Sequence, residues 1–488
     1  MRNQSTIYSI IGLGLGILIL HSCAPQSKYR APKYDMPEAF KVGDTVVDSQ
    51  DSTSIANLSW SEFFNDKQLD TLISKGMVYN FDMQQALKNI EIANQRVLQS
   101  KVNWLPTITG TVGQINHQYR SSNFNSKPSN GFYEGDITQA SEDMFTYFRQ
   151  NITGMELSWE LDVWGKMRNQ KKETIANFLK TYEAQKTVKT QLVSSIAQAY
   201  YNLLFLNAQL EVAQSNFSLT ENTLKIVELQ YQSGKITALA KNQTKSQMLI
   251  AKALIPKLEE QIGIQENALN LLIGDYPKDL DYTGIKLTEI VHNDTLSIGV
   301  PLHMVSMRPD VRAAELDLQA KNYNVGIQQV SRYPNLTINL SGGVNSVLTE
   351  NWFNIPGSLF GNLMGTIATP IFNKRKLKTN YEVSKIEREK SELQLQRKVY
   401  TAITEVSDAL ISLKKIDEQL EIAEEQLATV KLGIKQSNLL FNSGYATYLE
   451  IINTQKVALE TELNYNKLKQ QKLVARVKLY KALGGGWK

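Results

Sequence analysis

Residues 155–163 read Met155-Glu156-Leu157-Ser158-Trp159-Glu160-Leu161-Asp162-Val163, apolar and polar residues alternating without a break. Period two puts all the apolar side chains on one face of an extended strand and the polar ones on the other. The alternation returns later, with Leu336, Ile338 and Leu340 separated by Thr337, Asn339 and Ser341. Two environments satisfy such strands. One is an antiparallel sheet with its greasy face on a protein core; the other is a barrel wall with lipid outside and water inside. Alternation alone does not separate them.

Working outward, the chain is a tandem duplication. Tyr231-Gln232-Ser233-Gly234 recurs 210 positions later as Phe441-Asn442-Ser443-Gly444, and Leu271-Leu272-Ile273-Gly274 as Lys481-Ala482-Leu483-Gly484. Upstream, Trp104-Leu105-Pro106 matches Arg332-Tyr333-Pro334, 228 positions later, and Ala86 and Asn94 match Ala314 and Asn322. The shrinking offset implies about 20 extra residues in the first copy, within the polar stretch 114–146. Each copy then holds a helix (about 80–103 and 309–332), two strands and a long helical hairpin.

The hairpins carry heptads. Leu192, Ile196, Ala199, Leu203, Leu206, Leu210, Ala213 and Phe217 step by four and three, and 210 positions later stand Ala402, Val406, Ala409, Leu413, Ile416, Leu420, Ala423 and Leu427. A 3.5-residue period implies left-handed supercoiling of neighbouring helices. An ordinary coiled coil or four-helix bundle has the same pattern. No proline falls between Pro128 and Pro256 or after Pro370, so very long helices are allowed. A segment of ~50 residues would reach ~75 Å at 1.5 Å per residue. Gly234 and Gly444 read as helix breaks or end-caps.

The 488 residues are 42% hydrophobic and 21% charged, which excludes a fully disordered chain. The net charge of +5 is small and dispersed, so it does not point to nucleic acid. A single cysteine excludes an intrachain disulfide and a thiolate metal site. His21, His117, His292 and His303 are scattered, so no histidine metal site and no cofactor is expected. Residues 1–22 read as an export signal: Arg2, an apolar core from Ile7 to Leu20, then Leu20-His21-Ser22-Cys23, which resembles a bacterial lipobox. Cys23 is the expected lipidation site, and Ala24 after it favours the outer membrane. No later run of about 18 apolar residues suggests a transmembrane helix.

If the mature chain crosses a membrane, it does so as a β-barrel. Two strands per copy give four per chain, too few to close, and an open edge cannot sit in lipid. Two chains give eight strands and a filled interior; three give twelve, with room for a lumen.

Several segments, taken in order, resemble the TolC-like outer-membrane efflux channels, in the lipid-anchored NodT-type branch serving resistance-nodulation-division pumps. They are Trp60-Ser61-Glu62-Phe63-Phe64-Asn65-Asp66, Asn80-Phe81-Asp82, Leu105-Pro106, Ser158 to Lys166, Arg308-Pro309-Asp310-Val311-Arg312-Ala313-Ala314-Glu315, and the end Tyr480 to Trp487. The resemblance implies a mostly α protein with a membrane β part: a trimeric α/β barrel, each chain giving four transmembrane strands and long coiled-coil hairpins. It implies no enzyme chemistry, but a passive water-filled exit duct in the outer membrane, lipid-anchored, with a long periplasmic extension. An inner-membrane pump would drive small molecules into it through a periplasmic adaptor protein. The expected layout is signal peptide 1–22, lipid-anchored extended segment 23–57, first repeat 58–274, linker 275–307 and second repeat 308–488. Pro309 and Asp310 are explained by a good helix start alone.

In that family the periplasmic end closes where the second hairpin turns inward, at a Tyr-Leu followed by apolar residues, an Asp, a Gln and an Arg. Here the segment is Tyr448-Leu449-Glu450-Ile451-Ile452-Asn453-Thr454-Gln455-Lys456. The resemblance implies a gate at Tyr448, Leu449, Asn453 and Lys456, with Leu239 and Gln243, 210 positions before Leu449 and Asn453, as partners. The family's acid is Asn453 here and its Arg is Lys456. The turns at Gly234 and Gly444 are expected adaptor docking points. Two rivals keep parts of the pattern: a type I secretion duct for polypeptides, and a non-pore periplasmic coiled-coil scaffold lipoprotein. The chain has no H-E-x-x-H, G-x-S-x-G or Gly-Lys-Ser/Thr phosphate loop to suggest an enzyme.

Overall fold

The computed structural model describes residues 29, 32, 40–42, 45–47, 58–121, 145–280, 286–287, 290 and 307–487. The export signal, Cys23, and most of the 23–57 segment and the 275–307 linker lie outside the described residues. In chain order the elements are β1 (Phe40–Val42), β2 (Thr45–Val47), α1 (Trp60–Phe64), α2 (Lys67–Tyr79), α3 (Phe81–Val102), β3 (Thr107–Ser121), β4 (Phe145–Leu161), α4 (Lys166–Gln232), α5 (Ala238–Leu272), α6 (Pro309–Val330), β5 (Asn335–Ser346), β6 (Leu359–Ala368), α7 (Lys376–Asn442) and α8 (Tyr448–Ala482). β1 and β2 form a separate small antiparallel pair.

The duplication reappears in the element lengths. α4 and α7 have 67 residues each, α5 and α8 have 35 each, and α3 and α6 have 22 each. Each 67-residue helix extends ~100 Å at 1.5 Å per residue, longer than the sequence pattern requires. All four hairpin helices end alike. Gly234, Gly444, Gly274 and Gly484 have φ of +73°, +81°, +74° and +86°, and the N–H of the following residue returns five positions to the helix. This is the Schellman cap, and the left-handed conformation it needs is the reason the repeated motifs end in glycine.

One compact unit comprises Asn94–Asn177 and Leu318–Lys390 among its described parts, and it holds the sheet. The sheet is antiparallel with order β3-β4-β5-β6, leaving β3 and β6 as open edges. The register places Ile108, Leu157, Leu340 and Leu363 in one row across all four strands, and Leu161, Leu336 and Ile367 in another. The opposite face carries Thr109, Glu156, Ser341 and Asn362 in one row, and Ser158 Oγ donates to Asn339 Oδ1 at 2.8 Å. Among the described residues no core covers the apolar face: Ile108 is 68% exposed, and Leu363 and Ile367 are 72% exposed. This decides between the two environments that alternation left open. On the polar face, Gly154 and Gly343 are opposite each other, and a Cβ on Gly343 would lie 2.2 Å from the Thr153 carbonyl oxygen. Only glycine permits that approach. Gly361 and Gly365 lie inside β6.

The second unit comprises Ala31–Ala93, Phe178–Asp317 and Ser391–Lys488. Its main core joins Leu69 and Ile73 of α2, Ile196, Tyr200 and Leu203 of α4, Val406 and Leu413 of α7, and Leu479, Tyr480 and Leu483 at the end of α8. Of the sixteen heptad positions twelve are buried, four (Ala199, Leu210, Phe217 and Leu427) are half-buried, and none is exposed. The C-terminal turn packs on Tyr480. Its ring stacks on Phe63 at 4.2 Å, its hydroxyl donates to the Leu58 carbonyl at 2.7 Å, and a Cβ on Gly485 would lie 2.3 Å from its Cε2.

Pro256 sits inside α5. It removes one N–H donor, yet Leu254, Ile255, Leu258 and Ile262 pack around Leu206 and Ala213 of α4, and this burial outweighs the lost bond. The start of α6 is more than a favourable helix start. Arg308 is buried; its Nε meets Asp310 at 3.0 Å, and its Nη1 meets Glu405 of α7 at 2.7 Å and the Ala482 carbonyl of α8 at 2.9 Å.

Candidate functional site

The two helical hairpins of the second unit meet at their turns. There Val227 of α4, Phe441 of α7 and Ile451 of α8 form a small buried cluster, flanked by Ile226, Ile236, Ala446, Tyr448 and Ile452. The cluster fixes the first turn of α8 against the end of α4. Beside it, Gln455 is 1% exposed and its Nε2 donates to Thr223 Oγ1 at 2.8 Å. At the surface, Tyr448 Oη donates to Gln243 Oε1 of α5 at 2.9 Å. The structure thus brings together Tyr448 and Gln243, which the sequence places 205 positions apart.

The remaining expected gate residues lie on exposed helix faces. Leu449 is 55% exposed, and Asn453 and Lys456 are exposed along the same helix. Leu449 and Asn453 are one turn apart and share a face. Leu239, near the start of α5, is 61% exposed. The carboxylate of Glu450 accepts from the Thr447 backbone N–H and Oγ1, so it caps α8. Gly234 and Gly444 are exposed at the turns, and a Cβ at either would meet no atom within 4 Å.

Sequence reasoning named the polar residues of this region and missed what holds them. Ile451 and Gln455 lie inside the quoted segment, at spacing four, and face the buried side. That spacing was a readable signal. Thr223 gives none, because its contact is made across the hairpins.

Among the described residues no group of three or more His, Cys, Asp or Glu could hold a metal ion. Among them too, no helix is long and apolar enough to cross a membrane. The exposed apolar face of the β3–β6 sheet is the membrane candidate instead. Its strands end on tryptophan contacts: Trp159 Nε1 donates to the Trp104 carbonyl at 2.8 Å and Trp164 Nε1 to the Pro334 carbonyl at 2.7 Å. Indole rings with an apolar body and a bonded N–H suit a lipid–water boundary.

Comparison with known proteins gives the same picture. A family model described as outer membrane efflux protein matches residues 72–275 and 304–485. The chain is 27% identical to the cation efflux system protein CusC of Escherichia coli strain K12, over 96% of this chain and 97% of that protein. It is 27% identical to the probable outer membrane lipoprotein SilC of Salmonella typhimurium, over 96% of this chain and 97% of that protein. A crystal structure of CusC superposes with a TM-score of 0.79 at 25% identity, covering 95% of this chain and 100% of that one.

Proposed function

Because the chain belongs to the outer membrane efflux protein family, we propose that the meeting of its two hairpin turns is the regulated aperture of an exit duct. The protein is the outer-membrane outlet of a tripartite efflux system, and proteins of this family are trimeric channels that work with an adaptor and an inner-membrane pump. Tyr448, Leu449, Asn453 and Lys456 form the aperture's moving lip, with Leu239 and Gln243 opposite. The turns at Gly234 and Gly444 receive the adaptor, and the pump is of the resistance-nodulation-division type. Lipid on Cys23 tethers the chain. CusC is named for cations; here the cargo is small molecules delivered by the pump.

One observation carries the reading: a four-stranded sheet whose apolar face is bare and whose two edges are unpaired. Such a sheet is stable only where lipid covers the face and further strands satisfy the edges. Reconstitution of the purified, lipidated protein into planar bilayers tests it. Conducting trimers that resist dissociation in detergent are expected, and a non-conducting compact monomer overturns the reading.

A further inference from the structure

The two halves of the chain differ where strand passes into helix. In the first copy the charges there pair off: Lys166 Nζ meets Glu160 Oε1 at 2.9 Å, and Arg168 Nε meets Asp162 Oδ2 at 3.2 Å. Adding 210 keeps the cations, as Lys376 and Lys378, and replaces the acids by Pro370 and Phe372. It also replaces Trp164 and Gly165 by Lys374 and Arg375. No Asp or Glu stands between Glu350 and Glu382, and Glu382 is held by Lys385 at 2.7 Å. Lys374, Arg375, Lys376 and Lys378 are all exposed, and among the described residues none of the four makes an ion pair.

Nothing in the local structure asks for these four cations. Lys376 and Lys378 stand in the first turn of α7, where the helix dipole disfavours positive charge and no acid offsets it. Lys374 and Arg375 have φ of +44° and +65°, in the left-handed region that side chains disfavour. The first copy has Gly165 at the second of these positions, with φ +79°. Like charges so close together also repel one another. The arrangement is favoured only where an anion meets it.

Its place in the fold says which anion. The turn follows Ala368, where β6 ends, and borders a cavity of about 400 Å³. Trp164, Tyr333, Asn373 and Leu377 line that cavity, with Glu160 and Asp162, whose charges Lys166 and Arg168 already meet. Trp164 and Tyr333 stand edge-on at 5.5 Å at the helix end of the lipid-facing strands. Immediately before the cations, Ile371 is 96% and Phe372 84% exposed. Bare apolar side chains followed by unpaired cations suit a segment lying in a membrane surface, its apolar groups among acyl chains and its charges at the phosphates.

We propose that Lys374, Arg375, Lys376 and Lys378 bind the phosphate of an anionic phospholipid in the periplasmic leaflet of the outer membrane, with Ile371 and Phe372 among its acyl chains. The Arg375 guanidinium offers two parallel N–H donors to phosphate oxygens, which a lysine does not. The first copy neutralises its own cations, so each chain has one such site and not two. The proposal rests on the outer-membrane reading and adds a lipid class and the residues that select it.

Tryptophan emission supplies the readout, because Trp164 borders the same cavity. The full-length protein is reconstituted in phosphatidylcholine vesicles containing brominated phosphatidylglycerol or brominated phosphatidylcholine, and quenching gives the relative affinity for the two lipids. At low salt an at least threefold preference for phosphatidylglycerol is expected. It should fall to about one at high salt, by screening, and in Lys374→Gly/Arg375→Gly. That variant removes two charges and relieves both left-handed residues, so its trimers should dissociate at an unchanged temperature in lipid-free detergent. Lys166→Gln, which alters only the paired first copy, should keep the preference. Equal preference in the unmodified protein and the double glycine variant overturns the lipid site and leaves the outer-membrane reading standing. No quenching by either brominated lipid overturns both. Loss of the preference on adding soluble glycerol phosphate assigns the site to a soluble phosphate, and a lower dissociation temperature of the double variant without lipid assigns the cations to a neighbouring copy; either result overturns the lipid assignment.

Discussion

Tyr448 Oη and Gln243 Oε1 are 2.9 Å apart, and their hydrogen bond ties the first turn of α8 to α5 at the surface of the hairpin turns. It is the exposed link above a buried cluster, so it can break without unfolding the helices. An exposed neutral hydrogen bond contributes about 0.5–1.5 kcal/mol. Tyr448→Phe removes it and keeps the ring. The expected result is a roughly two- to tenfold rise in the open-to-closed ratio in single-channel recordings, with trimer stability unchanged. An unaltered open probability would show that the aperture closes elsewhere.

Arg308 anchors three elements of the second unit at once, and its partner Asp310 responds to pH. Burial pushes the Asp310 carboxyl up, but the hydrogen bonds and charge of Arg308, with Lys398, prevail and hold it below the usual carboxylate range. A lowered folded-state pKa means stability that is complete above the unfolded value of 3.8 and is lost as pH falls through the folded value. Arg308→Met leaves Asp310 without its partner and is expected to destabilise by about 3–5 kcal/mol. It should also flatten the loss of stability below pH 4, which thermal melts in detergent at stepped pH will measure.

Tyr480 gives the opposite sign. Burial is the main cause that pushes its hydroxyl up to about 12, with Glu62 adding and a backbone hydrogen bond opposing. A phenol kept neutral in the fold contributes stability that is complete below its unfolded value of 10.0 and lost as pH rises toward the folded value. Wild type should therefore exceed Tyr480→Phe at pH 8 by about 1 kcal/mol, the worth of the bond to Leu58, and the gap should close by pH 12. Gly485→Ala drives a methyl into the same ring and should cost about 1–3 kcal/mol at every pH. A constant gap between wild type and Tyr480→Phe would contradict the assignment.

The periodic parts of this fold were legible because periodicity is local. Alternation from Met155 to Val163 gave a strand, the Leu192–Phe217 heptads gave a supercoiled helix, and the twin offsets gave the repeat. The repeated Ser-Gly turns were legible too, since a left-handed cap needs glycine wherever the chain lies. Contacts across elements left no such trace. Arg308 bonds a carbonyl 174 positions away, and Gln455 a hydroxyl 232 positions away. Pro256 is no guide to α5, because local propensity opposes a helix that packing against α4 imposes. The environment of the apolar strand face was undecidable from alternation and became clear only from the bare side chains of Ile108, Leu363 and Ile367.

Asn453 supplies the last test, because it removes a charge that the family resemblance implies. A ring of three carboxylates at a narrow aperture binds cations and titrates as protons compete for it; a ring of three carboxamides does neither at ordinary pH. The nearby acid, Glu450, is engaged at the cap of α8 by Thr447. Closure should then depend weakly on pH between 5 and 8 and on added Ca²⁺. Asn453→Asp is expected to install both dependences, with Ca²⁺ lowering conductance several-fold and acid relieving the block. The measurement is single-channel conductance across pH with and without Ca²⁺. Strong cation block in the unmodified protein that disappears in Asn453→Ala would mean that the carboxamide itself coordinates the ion, and the charge argument would fail.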